Sequence, residues 1–159
     1  MGVDTKAIIK KGVTPEQIAA ALSARWANAR VVPTQSDEYF YITLGRSDDY
    51  QRNIFVSYSN SSLTDYGIAG VLLSLSCYGE SVEILRYLCE TFGGYLDEND
   101  CDDVGFYAIR EDLYEQGDDF TPDEKFRMAL MRIVGPGKVS EVFKYACEWA
   151  KAKAVQYEK

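Results

Sequence analysis

Glu38-Tyr39-Phe40-Tyr41-Ile42-Thr43-Leu44 is the stretch on which the fold class turns. Phe40, Ile42 and Leu44 fall on one side, while Tyr39, Tyr41 and Thr43 fall on the other. That period of two belongs to an extended strand and to no helix. Gly45-Arg46-Ser47-Asp48-Asp49 then supplies turn chemistry, and Asn53-Ile54-Phe55-Val56-Ser57-Tyr58 returns as the second arm of a hairpin.

The next apolar run, Ile68-Ala69-Gly70-Val71-Leu72-Leu73-Ser74-Leu75, reads as a central strand covered on both faces. Short strands at Tyr95-Leu96 and Phe106-Tyr107-Ala108-Ile109 flank an acidic loop. Helices carry their own start signals. Thr14-Pro15-Glu16-Gln17 is a capping box with proline in the first turn, and Thr121-Pro122-Asp123-Glu124 repeats the logic with Glu124 as the reciprocal partner. The first helix is expected to fade near Asn28, before Val31-Val32-Pro33. Val82, Leu85, Leu88, Cys89 and Phe92 share one side of a helix from Ser81 to Phe92, which Gly93-Gly94 stops. Phe126, Leu130, Ile133 and Val134 give the 121–134 helix its apolar side. Gly135-Pro136-Gly137 breaks that helix ahead of a last one, so the pair should form an antiparallel hairpin. The expectation is an α+β fold over residues 1–159 as a single domain. It would have a mainly antiparallel sheet of about five strands, helices packed on one face and a C-terminal helical hairpin.

Composition excludes several chemistries. Histidine is absent, which removes Ser-His-Asp and Cys-His constellations, His-ligated zinc and the commonest general base. Cys77, Cys89, Cys101 and Cys147 form no CxxC pair, so a zinc knuckle or thioredoxin-type site has no support. No apolar run reaches the length of a bilayer span, and Met1-Gly2-Val3-Asp4-Thr5-Lys6 lacks the apolar core of a signal peptide. Cytoplasmic location and free thiols are the expectation.

Charge is concentrated. Residues 97–124 hold twelve carboxylates against Arg110 alone, a net −11 in a chain whose total is −8. Such a pole repels nucleic-acid phosphates and attracts a basic protein; the plainer reading is a solvated loop that keeps the chain soluble. The partner-binding candidates are Asp97, Glu98, Asp100, Asp102, Asp103, Glu111, Asp112, Asp118 and Asp119.

A divalent metal is the enzymatic alternative. An EF-hand register from Asp100 fails at Val104 in its fifth position. A looser Mg²⁺ or Mn²⁺ site on Asp97, Asp100, Asp102 and Asp103 would make a phosphoesterase, the metal generating the nucleophile. Otherwise no cofactor is expected. A third reading uses the tyrosines. Tyr39, Tyr41 and Tyr58 could decorate a sheet face that binds a small ligand or nucleotide, or they could simply pack beneath helices.

The block from Tyr66 to Asp103 joins Gly70-Val71-Leu72-Leu73-Ser74-Leu75 to Gly93-Gly94-Tyr95-Leu96-Asp97-Glu98-Asn99-Asp100-Cys101-Asp102-Asp103. It resembles small proteins carried by bacterial phages and prophages, as does the opening Gly2-Val3-Asp4-Thr5-Lys6. The resemblance carries no catalytic motif. It implies a setting in which small acidic proteins bind and block host machinery, including defence nucleases such as a CRISPR nuclease. Together with the charge, it leads to the expectation of a non-enzymatic inhibitor that engages a basic, nucleic-acid-binding protein through 97–119.

Overall fold

One interior strand of the sheet lies where the sequence showed no pattern longer than a few residues. Asp4–Ile9 (β1) places Ala7, Ile8 and Ile9 fully out of contact with solvent. In the computed structural model the described residues are 3–26, 28–45, 52–59, 68–102, 104–116, 119–135, 141–142, 144–149 and 152. After β1 come α1 (Pro15–Ser23), β2 (Arg30–Pro33), β3 (Tyr39–Leu44), β4 (Arg52–Ser57) and β5 (Val71–Ser76). Then follow α2 (Ser81–Phe92), β6 (Gly94–Asp97), β7 (Tyr107–Ile109), α3 (Glu111–Tyr114) and α4 (Pro122–Val134). The strands form one open antiparallel sheet in the order β2-β3-β4-β5-β1-β6-β7.

Seven strands replace the five expected. β1 was missed because its apolar core is only Ala7-Ile8-Ile9 between lysines, a run too short to show period two. β2, over the Val31-Val32-Pro33 stretch that follows the first helix, is short and contains a proline, which is disfavoured inside a sheet. It is tolerated because β2 pairs only with β3 and lies at the sheet edge.

The helices lie on both faces of the sheet rather than on the one face expected. On one face α1 contributes Ile18 and Leu22, and α2 contributes Ile84, Leu85, Leu88 and Cys89. These cover Ala7, Ile9, Ile42, Ile54, Leu73 and Leu96 from five strands. On the other face Tyr114, Phe120, Met128 and Met131 close over Ile8, Tyr95 and Ile68. Ile8 and Ile9 belong to different clusters because consecutive strand residues point to opposite sides. The 68–75 run behaves as expected in this respect, with Val71, Leu73 and Leu75 on the first face and Leu72 on the second.

Local signals explain the helix starts well and the helix orientation poorly. At α1 the Thr14 hydroxyl accepts the Gln17 N–H at 3.2 Å, and Gln17 Oε1 accepts the Thr14 N–H at 2.9 Å. The helix ends at Ser23, short of the expected Asn28. At α4, Thr121 Oγ1 accepts the Glu124 N–H at 3.1 Å. The Glu124 carboxylate instead takes Lys11 Nζ at 2.9 Å on both oxygens. A charged tertiary partner outweighs a neutral N–H. The apolar side expected of α4 is split: Phe126 and Ile133 face outward, 45% and 79% exposed, while Leu130 and Val134 are half-buried against the second cluster, whose buried helix residues are Met128 and Met131. The helix has two apolar stripes, and packing against Tyr114 and Phe120 selects the methionines. The Gly135-Pro136-Gly137 turn on which the C-terminal hairpin depends lies, beyond Gly135, outside the described residues; residues 141–142 and 144–149 are helical.

Candidate functional site

β1 and β6 lie side by side, with Lys6 paired to Asp97, so their ends bring Asp4 and Lys6 to the loop 98–102. That loop is held by the strand it faces. The Asp100 N–H donates to the Asp4 carbonyl at 3.0 Å, and the Asp4 N–H donates back to Asp100 Oδ1 at 3.1 Å. Thr5 Oγ1 donates to the Glu98 carbonyl at 2.9 Å. Asn99 and Asp102 accept the N–H groups of Cys101 and Val104 in successive Asx turns. The loop enters from a strand and leaves toward β7, so no helix pair of the EF-hand kind frames it.

Four carboxylates of the acidic segment are paired with cations from distant parts of the chain. Arg86 reaches Glu98 at 3.6 Å, Arg132 reaches Glu111 at 2.7 Å and also Glu115, and Lys11 holds Glu124. Within the segment, Arg110 clasps Asp112 at 3.1 Å through two nitrogens. Sequence arithmetic could not find these partners, since Lys11 and Glu124 are 113 residues apart.

One group of carboxylates is left without matching cations among the described residues. Asp97, Asp100 and Asp102 lie close together, with Asp4 beside Asp100, and Lys6 serves two of them: its Nζ lies 3.6 Å from Asp100 Oδ2 and its charge acts on Asp97. Ser74 Oγ donates to Asp4 Oδ2 at 3.2 Å from the adjoining strand. Asp97 is only 8% exposed, and its Oδ1 has no hydrogen-bond partner. Burial, then the Asp102 carboxylate, push the Asp97 carboxyl above its ordinary range; Asp100 adds to this, while an Asn99 N–H and Lys6 pull the other way. The exposed Cys101 thiol is also held high, by local desolvation and then by Asp100, Asp102 and Asp4. A thiol that stays protonated is a poor nucleophile.

The pH dependence follows from the sign of the Asp97 shift. The folded state binds that proton more tightly than the unfolded chain, so its contribution to stability is lost as the pH rises through the folded-state value. At neutral pH the ionised group therefore destabilises the fold. Asp97→Asn is expected to raise the urea midpoint at pH 7, with the gain fading as the pH falls toward 3.8. Equal midpoints at pH 7 would mean that the carboxylate is already matched by a cation.

The other candidates are scattered. Glu98, Glu111 and Asp112 are in the ion pairs above, and Asp119 is exposed beside Lys11, which its carbonyl accepts at 2.9 Å. Asp103 and Asp118 lie outside the described residues. Among the described residues no three Cys, Asp or Glu side chains converge to hold a metal ion. Asp97, Asp100 and Asp102 therefore form a negative corner without forming a ligand set. A cavity of about 210 Å³ between α3 and α4 is lined by Glu115, Phe120, Lys125, Met128 and Arg132, smaller than typical ligand pockets. A larger hollow of about 630 Å³ is lined by Glu141, Val142, Lys144, Tyr145 and Glu148 of one helical stretch, which makes it an open surface.

The tyrosines divide between the faces. Tyr58 belongs to the covered face, where its hydroxyl donates to the Val13 carbonyl at 2.7 Å and its ring meets Phe40 edge-on. Tyr39 and Tyr41 lie on the opposite side with Phe55, at ring-centroid distances of 5.6 and 5.5 Å, and Tyr41 is 40% exposed.

No protein-family model, curated protein or solved structure matches the chain. Among the described residues no helix is long and apolar enough to cross a membrane.

Proposed function

We propose that the protein is a non-enzymatic binding protein that engages a basic partner through its acidic corner, acting as a phage-encoded inhibitor of a host nucleic-acid-binding protein such as a defence nuclease. One observation carries this reading. Asp4, Asp97, Asp100 and Asp102 gather with Lys6 as the one cation paired among them in the described residues, while Glu98, Glu111, Glu115 and Glu124 take cations from elsewhere in the chain. Carboxylates kept close together in excess of their counter-charge destabilise the fold and steer cationic partners toward them, a pattern expected of a binding site. A nuclease groove built for phosphates presents the complementary charge.

The test is affinity capture from bacterial lysate at low salt and at about 0.3 M salt, where the Debye length shrinks to several ångströms. Basic nucleic-acid-binding proteins should be retained at low salt and released at high salt. The variant Asp100→Asn/Asp102→Asn should lose them, with affinity for a purified target down tenfold or more and an unchanged circular dichroism spectrum. Retention by the variant equal to that of the native chain would remove the corner from the site.

A further inference from the structure

The register of the sheet places the acidic corner and the uncovered aromatic rings in one row. Val32 pairs with Tyr41, Tyr41 with Phe55, Phe55 with Ser74, Ser74 with Lys6, and Lys6 with Asp97. Directly paired residues point to the same side. The row therefore crosses six strands on a single face, apolar at the β2 end and acidic at the β6 end. Its apolar end is open: Val32 is 38% and Tyr41 40% exposed, and Tyr39 stacks on the far side of Phe55. The next row, Ser57-Leu72-Ile8-Tyr95, runs beneath the second core cluster, so the wall of Tyr114, Phe120 and Met128 borders the open row on one side.

We infer that this row is one continuous docking surface, and that the partner element it takes is an amphipathic basic helix. The inference rests on the basic-partner reading above and adds an apolar anchor to it. Charge complementarity selects the occupant. The acidic end takes lysine or arginine, and the aromatic end takes a large apolar side chain, since aromatic rings supply much of the energy of protein interfaces. Neighbouring strands are about 4.8 Å apart, so the β6 end of the row, where half-buried Asp100 and exposed Asp102 lie beside the buried Asp97, stands about 14 Å from Phe55 and about 19 Å from Tyr41. A helix rises about 1.5 Å per residue, so cation and anchor are separated by roughly 9–13 residues along it, about three turns. Ser74 and Lys6 mark the border between the two halves.

The experiment is fluorescence anisotropy with two synthetic helical peptides of equal positive charge. One carries Leu and Trp three turns from an Arg cluster; the other has Gln at those apolar positions. The amphipathic peptide is expected to bind the native protein at least tenfold more tightly at physiological salt. Tyr41→Ser should erase that preference while preserving the weaker affinity for the polar peptide. Val32→Ser, at the sheet edge, gives the same readout should the first variant fold poorly. Asp100→Asn/Asp102→Asn should weaken both peptides alike. Equal affinity of the two peptides, or a preference that survives both Tyr41→Ser and Val32→Ser, overturns the continuous surface, and the acidic reading then stands or falls on the Asp variant alone. If the Asp variant leaves both peptides unaffected, the acidic reading itself fails. Absence of saturable binding by either peptide overturns both.

Discussion

Gly94→Ala is expected to lower the unfolding free energy by about 3 kcal/mol, at the upper end of what overpacking a well-filled interior costs. For a chain of this size that corresponds to a fall in Tm of roughly 6–12 °C. Gly94 opens β6 directly against β1. A Cβ there would lie 2.4 Å from the Ile8 carbonyl oxygen and 3.0 Å from the Ile9 Cα. Both obstacles are backbone, and β1 cannot retreat because β5 pairs with its other edge along its whole length. Ile8 and Ile9 are fully buried, one in each core cluster, so a displaced β1 disturbs both faces at once. Gly105→Ala is the control. Its φ of +73° strains any side chain, yet nothing lies within 4 Å of the added Cβ, so the cost should be about 1–2 kcal/mol. Urea denaturation of the two variants checks this, and similar losses would show that the close approach of β6 to β1 relaxes freely.

Lys11→Met is expected to destabilise by about 2–3 kcal/mol, somewhat below the loss for a fully buried pair, because Lys11 is still a third exposed. The Glu124 side chain is 12% exposed and has Lys11 on both of its oxygens at 2.9 Å. The same ammonium holds the Asp119 carbonyl and stands 5.8 Å from the centre of the Phe120 ring. It thus fastens the turn after β1 to the start of α4. Removing it leaves a nearly buried carboxylate without its cation, and that stranded charge makes up most of the loss. The double variant Lys11→Met/Glu124→Leu should therefore recover more than half of the lost stability, read as the coupling in a double-mutant cycle by urea denaturation. Additive losses would show that Glu124 is adequately solvated on its own.

How the fold is reached separates what could be read along the chain from what could not. The β3–β4 hairpin, the covered strand β5, α2 and the caps at Thr14 and Thr121 all rest on interactions within a few residues, and all appear where the sequence placed them. The acidic site was legible only in outline. Asp97, Asp100 and Asp102 stand out as part of a run, but nothing nearby in sequence distinguishes them from Glu111 or Glu124, which are neutralised in the fold. Asp4 and Lys6, the other half of the corner, carried one available signal, the lysine-bounded Ala7-Ile8-Ile9 of a short buried strand. The tyrosines show the same limit. Period two separates Tyr39 and Tyr41 from Phe40 and Ile42, and it leaves open which of the two sides the helices cover.

Strand period, capping and composition, read along the chain, establish the α+β class, the starts of α1, α2 and α4 and the absence of histidine-based chemistry, because they act over short range or over none. The remainder depends on long-range packing. It added β1 and β2, turned the methionine stripe of α4 inward, matched Arg86, Arg132 and Lys11 to distant carboxylates, and brought Asp97, Asp100 and Asp102 together with Asp4 and Lys6 on a half-open sheet face. The physical reason is that ion pairing and burial depend on distance in space, and a strand that joins residue 6 to residue 97 sets those distances without leaving a mark on the spacing of either.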